Sequence, residues 1–193
     1  MSRFTVFLDA CVLVPVAPCD TLLRMADAGA FRPLWSAKVV DEALMALARI
    51  HPEVDRSRFL SRFRSMDEAF EDACVEGWEP LEQGVSLPDP DDRHVVAAAL
   101  RGRADAIITE SIRDFPEAVL ERLGLEAIRL DAFLLDQFDL SLGATCRVVK
   151  DQAAAMSRPP VTVEALLAKL SRSGAPCFAR AVSDALAAQV ESD

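Results

Sequence analysis

The sequence predicts an α/β protein in which a parallel sheet flanked by helices is followed by an all-helical C-terminal extension. Short apolar runs alternate with helix-like segments up to residue 131, which is the order typical of a parallel sheet. From residue 132 onward no strand-like run remains, and alanine and leucine dominate. The chain has 193 residues, 51% of them hydrophobic, enough for one core and a small appendage. We therefore expect one domain at 1–131 and a helical extension at 132–193.

The elements of the first domain are predicted from apolar runs and from helix-breaking residues. Thr5 to Asp9 is a short apolar run that ends in an acid, as expected of a buried parallel strand. Ser36 is a suitable N-cap for a helix that continues to about Ile50, with apolar residues at helical spacing. The other predicted helices lie at about 20–28, 57–70, 92–101 and 116–123, and the other predicted strands at 78–81, 105–109 and 127–130.

The C-terminal extension reads as four helices separated by breakers. Arg158-Pro-Pro160 and Ser173-Gly-Ala-Pro176 interrupt the helical pattern, and a further break falls near Ser141. The predicted helices lie at about 132–138, 141–156, 162–173 and 176–190.

Composition argues against several classes of protein. Five cysteines, an odd number without a Cys-x-x-Cys pair, argue against a disulfide framework or a structural zinc site, and we interpret them as small buried hydrophobes. Two histidines exclude a histidine-rich metal site, and we interpret His94 as a packing residue. The apolar runs are too short to cross a bilayer and no signal peptide precedes the first strand, so we expect a soluble, cytoplasmic protein.

The charge pattern leaves two interpretations open. A formal net charge of −10 is unusual for a protein that binds nucleic acid. Arginines nevertheless concentrate in one stretch, and arginine suits bidentate contacts to phosphate. The same stretch could equally be the solvated face of a helix. It comprises Arg49, Arg56, Arg58, Arg62 and Arg64.

Four acids are placed where they could carry chemistry: Asp9, Glu42, Asp92 and Asp114. Asp9 and Asp114 follow predicted strands, and ligands of open parallel sheets bind beyond the carboxyl ends of the strands. Carboxylates that converge there repel one another unless cations or protons neutralise them. Hard oxygen ligands favour Mg²⁺ or Mn²⁺, and a pair of such ions can activate water against a phosphodiester.

Each acid also has a structural explanation. Asp89 before Pro90 is a good N-cap, and Asp91 and Asp92 would then suit the helix dipole. Glu42 alone is typical of a helix surface, and Asp114 could cap the next helix. Only Asp9 is hard to explain in this way, because a buried acid needs partners. Spacing alone is therefore compatible with an acidic metal site but does not require one.

The order of four segments resembles that of PIN-domain nucleases. The segments are Phe7-Leu-Asp9-Ala-Cys-Val-Leu13, Val39-Val-Asp-Glu42-Ala-Leu44, Leu87-Pro-Asp-Pro-Asp-Asp92-Arg-His-Val-Val-Ala-Ala-Ala-Leu100 and Ile107-Ile-Thr109-Glu-Ser-Ile-Arg-Asp114-Phe-Pro116. The resemblance covers residues 3 to about 131. The tail, with Arg158-Pro-Pro and Gly174-Ala-Pro-Cys-Phe178, is similar to the helical extension of one subgroup of VapC-type toxins.

This resemblance implies a Mg²⁺-dependent endoribonuclease that cuts structured RNA such as tRNA or rRNA. It implies Asp9, Asp92 and Asp114 as direct metal ligands, Glu42 as a helper through water or a second metal, and Thr109 as a supporting hydrogen-bonding group. Asp92 fits the family spacing better than Asp91. The subgroup usually has asparagine where this chain has Ser111. Further implications are a cognate antitoxin with a basic segment, which the charge of −10 would suit, and a homodimer or toxin–antitoxin hetero-oligomer.

Two other hypotheses remain. A phosphohydrolase on another α/β fold, of the haloacid dehalogenase type, would require a second aspartate two residues after Asp9, where this chain has Cys11. A non-catalytic PIN-like RNA-binding module would be compatible with Ser111 as a sign of decay.

Overall fold

A computed structural model of the protein describes residues 3–157 and 159–190, so Arg158 of the predicted helix break lies outside the described residues. All strand pairs in its four-stranded sheet are parallel, and the strand order is β2-β1-β3-β4. The strands are β1 (Thr5–Leu8), β2 (Arg32–Leu34), β3 (Ala106–Ile108) and β4 (Glu126–Ile128). The predicted fold class, a parallel sheet flanked by helices with a helical C-terminal region, is confirmed.

The helices surround the sheet and make up the C-terminal region. In chain order they are α1 (Ala10–Leu13), α2 (Val16–Asp27), α3 (Ala37–Ile50), α4 (Arg56–Ala69), α5 (Glu79–Glu82), α6 (Arg93–Gly102), α7 (Glu117–Leu120), α8 (Leu130–Leu140), α9 (Leu142–Ala155), α10 (Val163–Arg172) and α11 (Pro176–Val190). Short 3-10 turns lie at Pro90–Asp92, Ile112–Asp114 and Glu121–Leu123. Within the described residues, none of these helices combines the length and the apolar character that a bilayer-spanning segment requires.

The prediction of a strand at 78–81 was wrong, because this segment forms the start of α5. Pro80 lies in the first turn of α5, where a missing backbone N–H costs nothing. Four residues carry too little periodicity to separate a helical turn from a short strand. The sequence analysis also missed β2, which contains Pro33 and pairs with β1 only.

The chain divides into two compact units, each assembled from two stretches of sequence. The first contains the N-terminal residues up to Val14 together with Phe31–Ile128, and the second contains Pro15–Ala30 together with the residues from Arg129 onward. Sequence alone had placed residues 15–30 in the first domain. In the structure, α2 packs with α9 and α10.

A buried polar contact fixes α2 within the second unit. The Gln152 side chain, which is fully buried, donates to the backbone oxygen of Ala17 at 3.0 Å and accepts from the Thr21 hydroxyl at 2.7 Å. Buried amide groups are stable only when they are paired in this way. In the same unit Asp131 accepts from the backbone N–H groups of Cys177 and Phe178, at the start of α11.

The core of the first unit is built between the sheet and α6. Val6, Phe7 and Leu8 of β1 have no exposed surface, and the same holds for Ala106–Ile108 of β3 and for Val95–Ala99 of α6. The three alanines in α6 allow its backbone to lie close to its neighbours. The C-terminal end of α6 approaches β2 even more closely, because a Cβ added at Gly102 would lie 2.5 Å from Leu34 Cδ1.

Replacing Gly102 by alanine should therefore destabilise the protein. The added methyl group would also lie 2.9 Å from Val75 Cγ2, so it would displace the buried Leu34 and the half-buried Val75 side chains and lower the free energy of unfolding by roughly 1–3 kcal/mol. Gly143→Ala is the matched control, because nothing lies within 4 Å of its added Cβ in α9, and it should gain up to about 1 kcal/mol. Urea denaturation of both variants measures the difference. Equal stability of Gly102→Ala and the wild type would contradict the close approach of α6 to β2.

The prediction that the cysteines are small buried hydrophobes holds for two of them. Cys19 and Cys146 are buried, whereas Cys74 and Cys177 are exposed, contrary to expectation. Cys11 is half-buried and lies at the carboxyl edge of the sheet.

Candidate active site

The candidate site lies at the carboxyl edge of the sheet, where β1 and β3 are neighbours. The chain proceeds from β1 to β2 on one side and continues through β3 and β4 on the other, so the strand order reverses between β1 and β3. At such a reversal the connections leave in opposite directions and open a crevice for ligands. Asp9 follows β1 and Thr109 follows β3, so both residues lie at this point.

Asp9 is buried and both of its carboxylate oxygens accept hydrogen bonds from neighbouring donors. Its Oδ1 accepts from the backbone N–H of Ala10 at 2.7 Å, which makes Asp9 the N-cap of α1. Its Oδ2 accepts from the Thr109 hydroxyl at 2.6 Å. These bonds supply the partners that a buried acid requires and fix the orientation of the carboxylate. Because each carboxylate oxygen has two lone pairs, capacity for a further ligand remains.

The Thr109 hydroxyl joins two segments at the ends of the strands. It donates to Asp9 and accepts from the backbone N–H of Ser111 at 3.0 Å. The side chain of Ser111 is exposed and does not cap the following 3-10 turn. The contact at position 111 is therefore a backbone contact, which serine or asparagine can make equally well.

Cys11 is a part of this site that the sequence analysis did not identify. Its Sγ donates to Asp9 Oδ2 at 3.1 Å and accepts from the backbone N–H of Glu110 at 3.2 Å. Burial, with the negative charge of Asp9, raises the pKa of the Cys11 thiol to about 12. The group is therefore a neutral thiol at physiological pH and a hydrogen-bond donor to Asp9. The one available signal was its position, two residues after an acid that ends a strand.

Asp92 lies in the same electrostatic environment as Asp9 and Asp114. It ends the 3-10 turn Pro90–Asp92 and precedes the first residue of α6. Burial and, after it, the negative charges of Asp9, Asp114 and Asp89 raise the pKa of the Asp92 carboxyl, and His94 lowers it, so that the pKa is about 6. The structure thus brings Asp92 close enough to Asp9 and to Asp114 for their charges to interact.

The structural explanation of the 89–92 loop holds for Asp89. Its carboxylate accepts from the backbone N–H of Asp91 at 2.9 Å, as expected of an N-cap. Asp91 is exposed and is not among the charges that act on Asp92. Asp92 is therefore the acid of this loop that faces the candidate site.

Asp114 ends the 3-10 turn Ile112–Asp114 and is half-buried. The alternative interpretation, that it caps the next helix, does not apply, because the N-cap of α7 is Pro116. Its charge acts on Asp92 instead.

Glu42 is paired with a histidine of α6. Its Oε1 lies 2.9 Å from Nε2 of His94, and Glu42 is not among the charges that act on Asp92. Packing in the core or at the surface was expected for His94, and its side chain, 1% exposed, lies in the core; its contact with Glu42 was not foreseen. These residues are 52 positions apart, and no local pattern in the sequence indicates such a pair.

The donor set at the sheet edge fits a hard divalent cation. The negative charges of Asp9 and Asp114 disfavour the ionised form of Asp92, and a divalent ion would neutralise such a group of carboxylates. In the side-chain positions seen here, however, no group of three or more histidine, cysteine, aspartate or glutamate residues among those described could hold a metal ion. Metal binding therefore stays a prediction, for which the chemistry of the donors is the support.

One arginine of the basic stretch has a structural function. The Arg62 guanidinium donates to the backbone oxygens of Leu13 at 2.6 Å and Val14 at 3.2 Å, which are the last carbonyls of α1. A cation at a helix C-terminus satisfies carbonyls that have no partner within the helix. Arg62 of α4 thus contacts the C-terminal end of α1. The candidate site lies at the other end, because Asp9 is the N-cap of the same helix. Arg49, Arg56, Arg58 and Arg64 are exposed.

Comparison with known proteins gives three findings. Residues 5–113, more than half of the chain, match the family model described as PIN domain. Residues 130–184 match the model described as VapC50 C-terminal domain. Over 88 residues the chain is 42% identical to the "Putative ribonuclease VapC50" of Mycobacterium tuberculosis (strain ATCC 25618 / H37Rv), a match that covers 46% of this chain and 52% of that protein. The chain thus matches about half the length of this relative, and no solved structure matches significantly.

Proposed function

Because the chain belongs to the PIN-domain family and its C-terminal region matches the VapC50 C-terminal domain, we propose that it is a Mg²⁺-dependent endoribonuclease and the toxin of a toxin–antitoxin pair. The observation that carries this proposal is the buried Asp9 carboxylate at the switch point of the sheet, whose charge, like that of Asp114, acts on Asp92. A site of this composition favours divalent cations over neutral ligands, because it carries an excess of negative charge.

The acidic residues and their hydrogen-bond partners would have different functions in the site. Asp9, Asp92 and Asp114 would hold the ions, of Mg²⁺ or Mn²⁺, and Glu42 would contribute through water or a second ion. Ions bound there would supply an activated water and would stabilise the negative charge that develops on the leaving oxygen of the phosphodiester. Thr109 orients the Asp9 carboxylate through its hydroxyl, and the Cys11 thiol donates to the same oxygen, Oδ2. These contacts hold the carboxylate in one orientation before substrate binds.

The proposed substrate is structured RNA such as tRNA or rRNA, and the proposed regulator is an antitoxin that places a basic segment across the acidic edge. The formal net charge of −10 supports a partner of that kind through electrostatic complementarity. An arginine in such a segment would pair with the carboxylates and displace the cations. The active form would be a homodimer, or a hetero-oligomer with the antitoxin when inhibited.

A cleavage assay tests the proposal directly. Purified protein incubated with tRNA or rRNA should cut at discrete positions in Mg²⁺ or Mn²⁺ and should stop cutting in EDTA, because EDTA removes the ions that would activate the water and stabilise the leaving oxygen. Asp92→Asn serves as the control for a contaminating nuclease and should be inactive. Expression of the wild type in cells should inhibit growth, and expression of the antitoxin in the same cells should relieve it.

The alternatives give different results in the same experiments. Turnover of a small phosphoester without RNA cleavage would indicate a phosphohydrolase. Binding of RNA without cleavage, combined with no calorimetric signal for Mg²⁺ or Mn²⁺, would indicate a non-catalytic module. Cleavage at full rate in EDTA would contradict the metal dependence.

A further inference from the structure

The pair formed by His94 and Glu42 joins α6 to α3 in the first unit. His94 is the second residue of α6 and lies two positions after Asp92, whereas Glu42 belongs to α3. The His94 ring is 1% exposed and the Glu42 side chain is 33% exposed. One partner is therefore fixed in the core, and the other reaches towards solvent.

Contacts on the other side of the imidazole fix its orientation. The Trp78 ring packs against it with centroids 5.9 Å apart and the planes inclined by 50°. Lys38 lies over the same Trp78 ring at 5.8 Å, and it precedes Glu42 by one turn on α3. The ring thus has a packed position, and Nε2 points at the carboxylate.

The hydrogen-bonding state of the ring follows from its two partners. A carboxylate accepts hydrogen bonds only, so Nε2 carries the proton and donates to Glu42 Oε1 at 2.9 Å. Nδ1 is buried and has no hydrogen-bond partner among the described residues. The unpaired, buried Nδ1 lowers the stability of the fold. The contact of Nε2 with Glu42 adds little stability, because that carboxylate is one-third exposed to water. A leucine would fill this position without that cost.

The stability balance therefore argues against a purely structural function for His94. The imidazole of His94 does, however, fix the orientation of the Glu42 carboxylate. A glutamate on a helix surface samples many rotamers, and restricting them costs conformational entropy. A partner held in the core removes this freedom, and it leaves Oε2 of Glu42 with no bond to any described residue.

We propose that His94 is a positioning residue that orients the Glu42 carboxylate for the cation site that Asp9, Asp92 and Asp114 would form. This inference rests on the proposed function. Since His94 and Asp92 belong to the same turn of chain, the pair also fixes α3 relative to the start of α6. Residues that orient metal-binding groups commonly change metal affinity or activity by about 10- to 100-fold when they are removed.

Two substitutions at position 94 test the inference. His94→Leu removes the donor and keeps an apolar side chain of similar size. It should weaken Mn²⁺ binding, measured by calorimetry without RNA, and lower kcat by about 10-fold, while stability stays equal or rises. His94→Gln places an amide N–H near the position of Nε2 and should restore most of the affinity.

A double-mutant cycle and a matched control separate positioning from packing. On a Glu42→Gln background, His94→Leu should change Mn²⁺ affinity less than 2-fold, because the carboxylate it orients is gone. Val96→Ala, at another fully buried position of α6, should lower the melting temperature and leave Mn²⁺ affinity unchanged.

The outcomes are distinguishable. A wild type that neither binds Mn²⁺ nor cuts RNA would overturn the proposed function, and the inference would fall with it. If the wild type binds Mn²⁺ and cuts RNA, the proposed function stands. In that case an unchanged Mn²⁺ affinity of His94→Leu would overturn the inference alone. The inference would also be overturned if His94→Leu lost stability as Val96→Ala does and His94→Gln failed to restore affinity.

Discussion

Replacing Asp9 by asparagine should abolish RNA cleavage and relieve growth inhibition while the fold stays intact. The substitution removes one negative charge from the group formed with Asp92 and Asp114, so the attraction for divalent cations falls. A loss of about 10³-fold or more in kcat is expected when such a charge is removed from a site that excludes water. Single-turnover cleavage of tRNA or rRNA in Mg²⁺ measures the effect.

The fold should tolerate Asp9→Asn because an amide can take over two of the three contacts of the carboxylate, and the third is only a weak thiol donor. Its oxygen can accept from the Ala10 N–H, and its NH₂ group can donate to the Thr109 hydroxyl. The free energy of unfolding without metal should stay within about 1 kcal/mol of the wild type. Full activity of this variant would rule out the site.

Asp89→Asn is the matched control for a change of charge alone. Asp89 also acts on Asp92, but its carboxylate is exposed and caps the Pro90–Asp92 turn, a function that asparagine fulfils equally well. This variant should keep most of its activity. A loss as large as that of Asp9→Asn would show that net charge, and not the position of Asp9, determines the rate.

Replacing Thr109 by valine should lower kcat by about 10²-fold. A loss of this size is typical when a reacting group is displaced by about 1 Å. Valine has nearly the same shape and lacks the hydroxyl that bonds Asp9 and Ser111. Because Thr109 is fully buried, the unpaired groups should also lower the free energy of unfolding by roughly 1–3 kcal/mol. Cleavage kinetics and urea denaturation give the two values separately.

Two controls isolate the function of the Thr109 hydroxyl. Thr109→Ser keeps the hydroxyl and should retain activity. Thr21→Val removes an equally buried hydroxyl in the second unit, where it bonds Gln152, and should lower stability but not kcat. If Thr109→Val lost stability and kept its kcat, the contact with Asp9 would be structural only.

Much of the site could be predicted from the sequence because its strands carry strong local signals. The apolar runs at β1 and β3 end at Asp9 and Thr109, and two parallel neighbours necessarily bring these ends to one edge. The choice of Asp92 over Asp91 followed from the spacing of the family resemblance, whereas the N-capping aspartate was recognised from the loop itself. Each of these inferences depends on a few consecutive residues.

The features that were missed depend on contacts between distant segments. The pairing of His94 with Glu42 and the contact of Arg62 with the end of α1 join residues about fifty positions apart, and a single sequence contains no signal for them. The short helix α1 has four residues, too few for a periodic pattern. Pro33 in β2 argued against a strand, although prolines are tolerated at sheet edges.

The interruption of the first unit by α2 has a consequence for synthesis on the ribosome. The Thr21 hydroxyl bonds Gln152, which lies 131 residues later in the chain. At the usual elongation rate, α2 emerges roughly ten seconds before this partner exists. During that interval Leu22 and Met25, which are buried in the finished protein, stay open to water. Exposed apolar surface of this kind is what chaperones bind, so the nascent chain needs protection at its beginning until its last helices have been made.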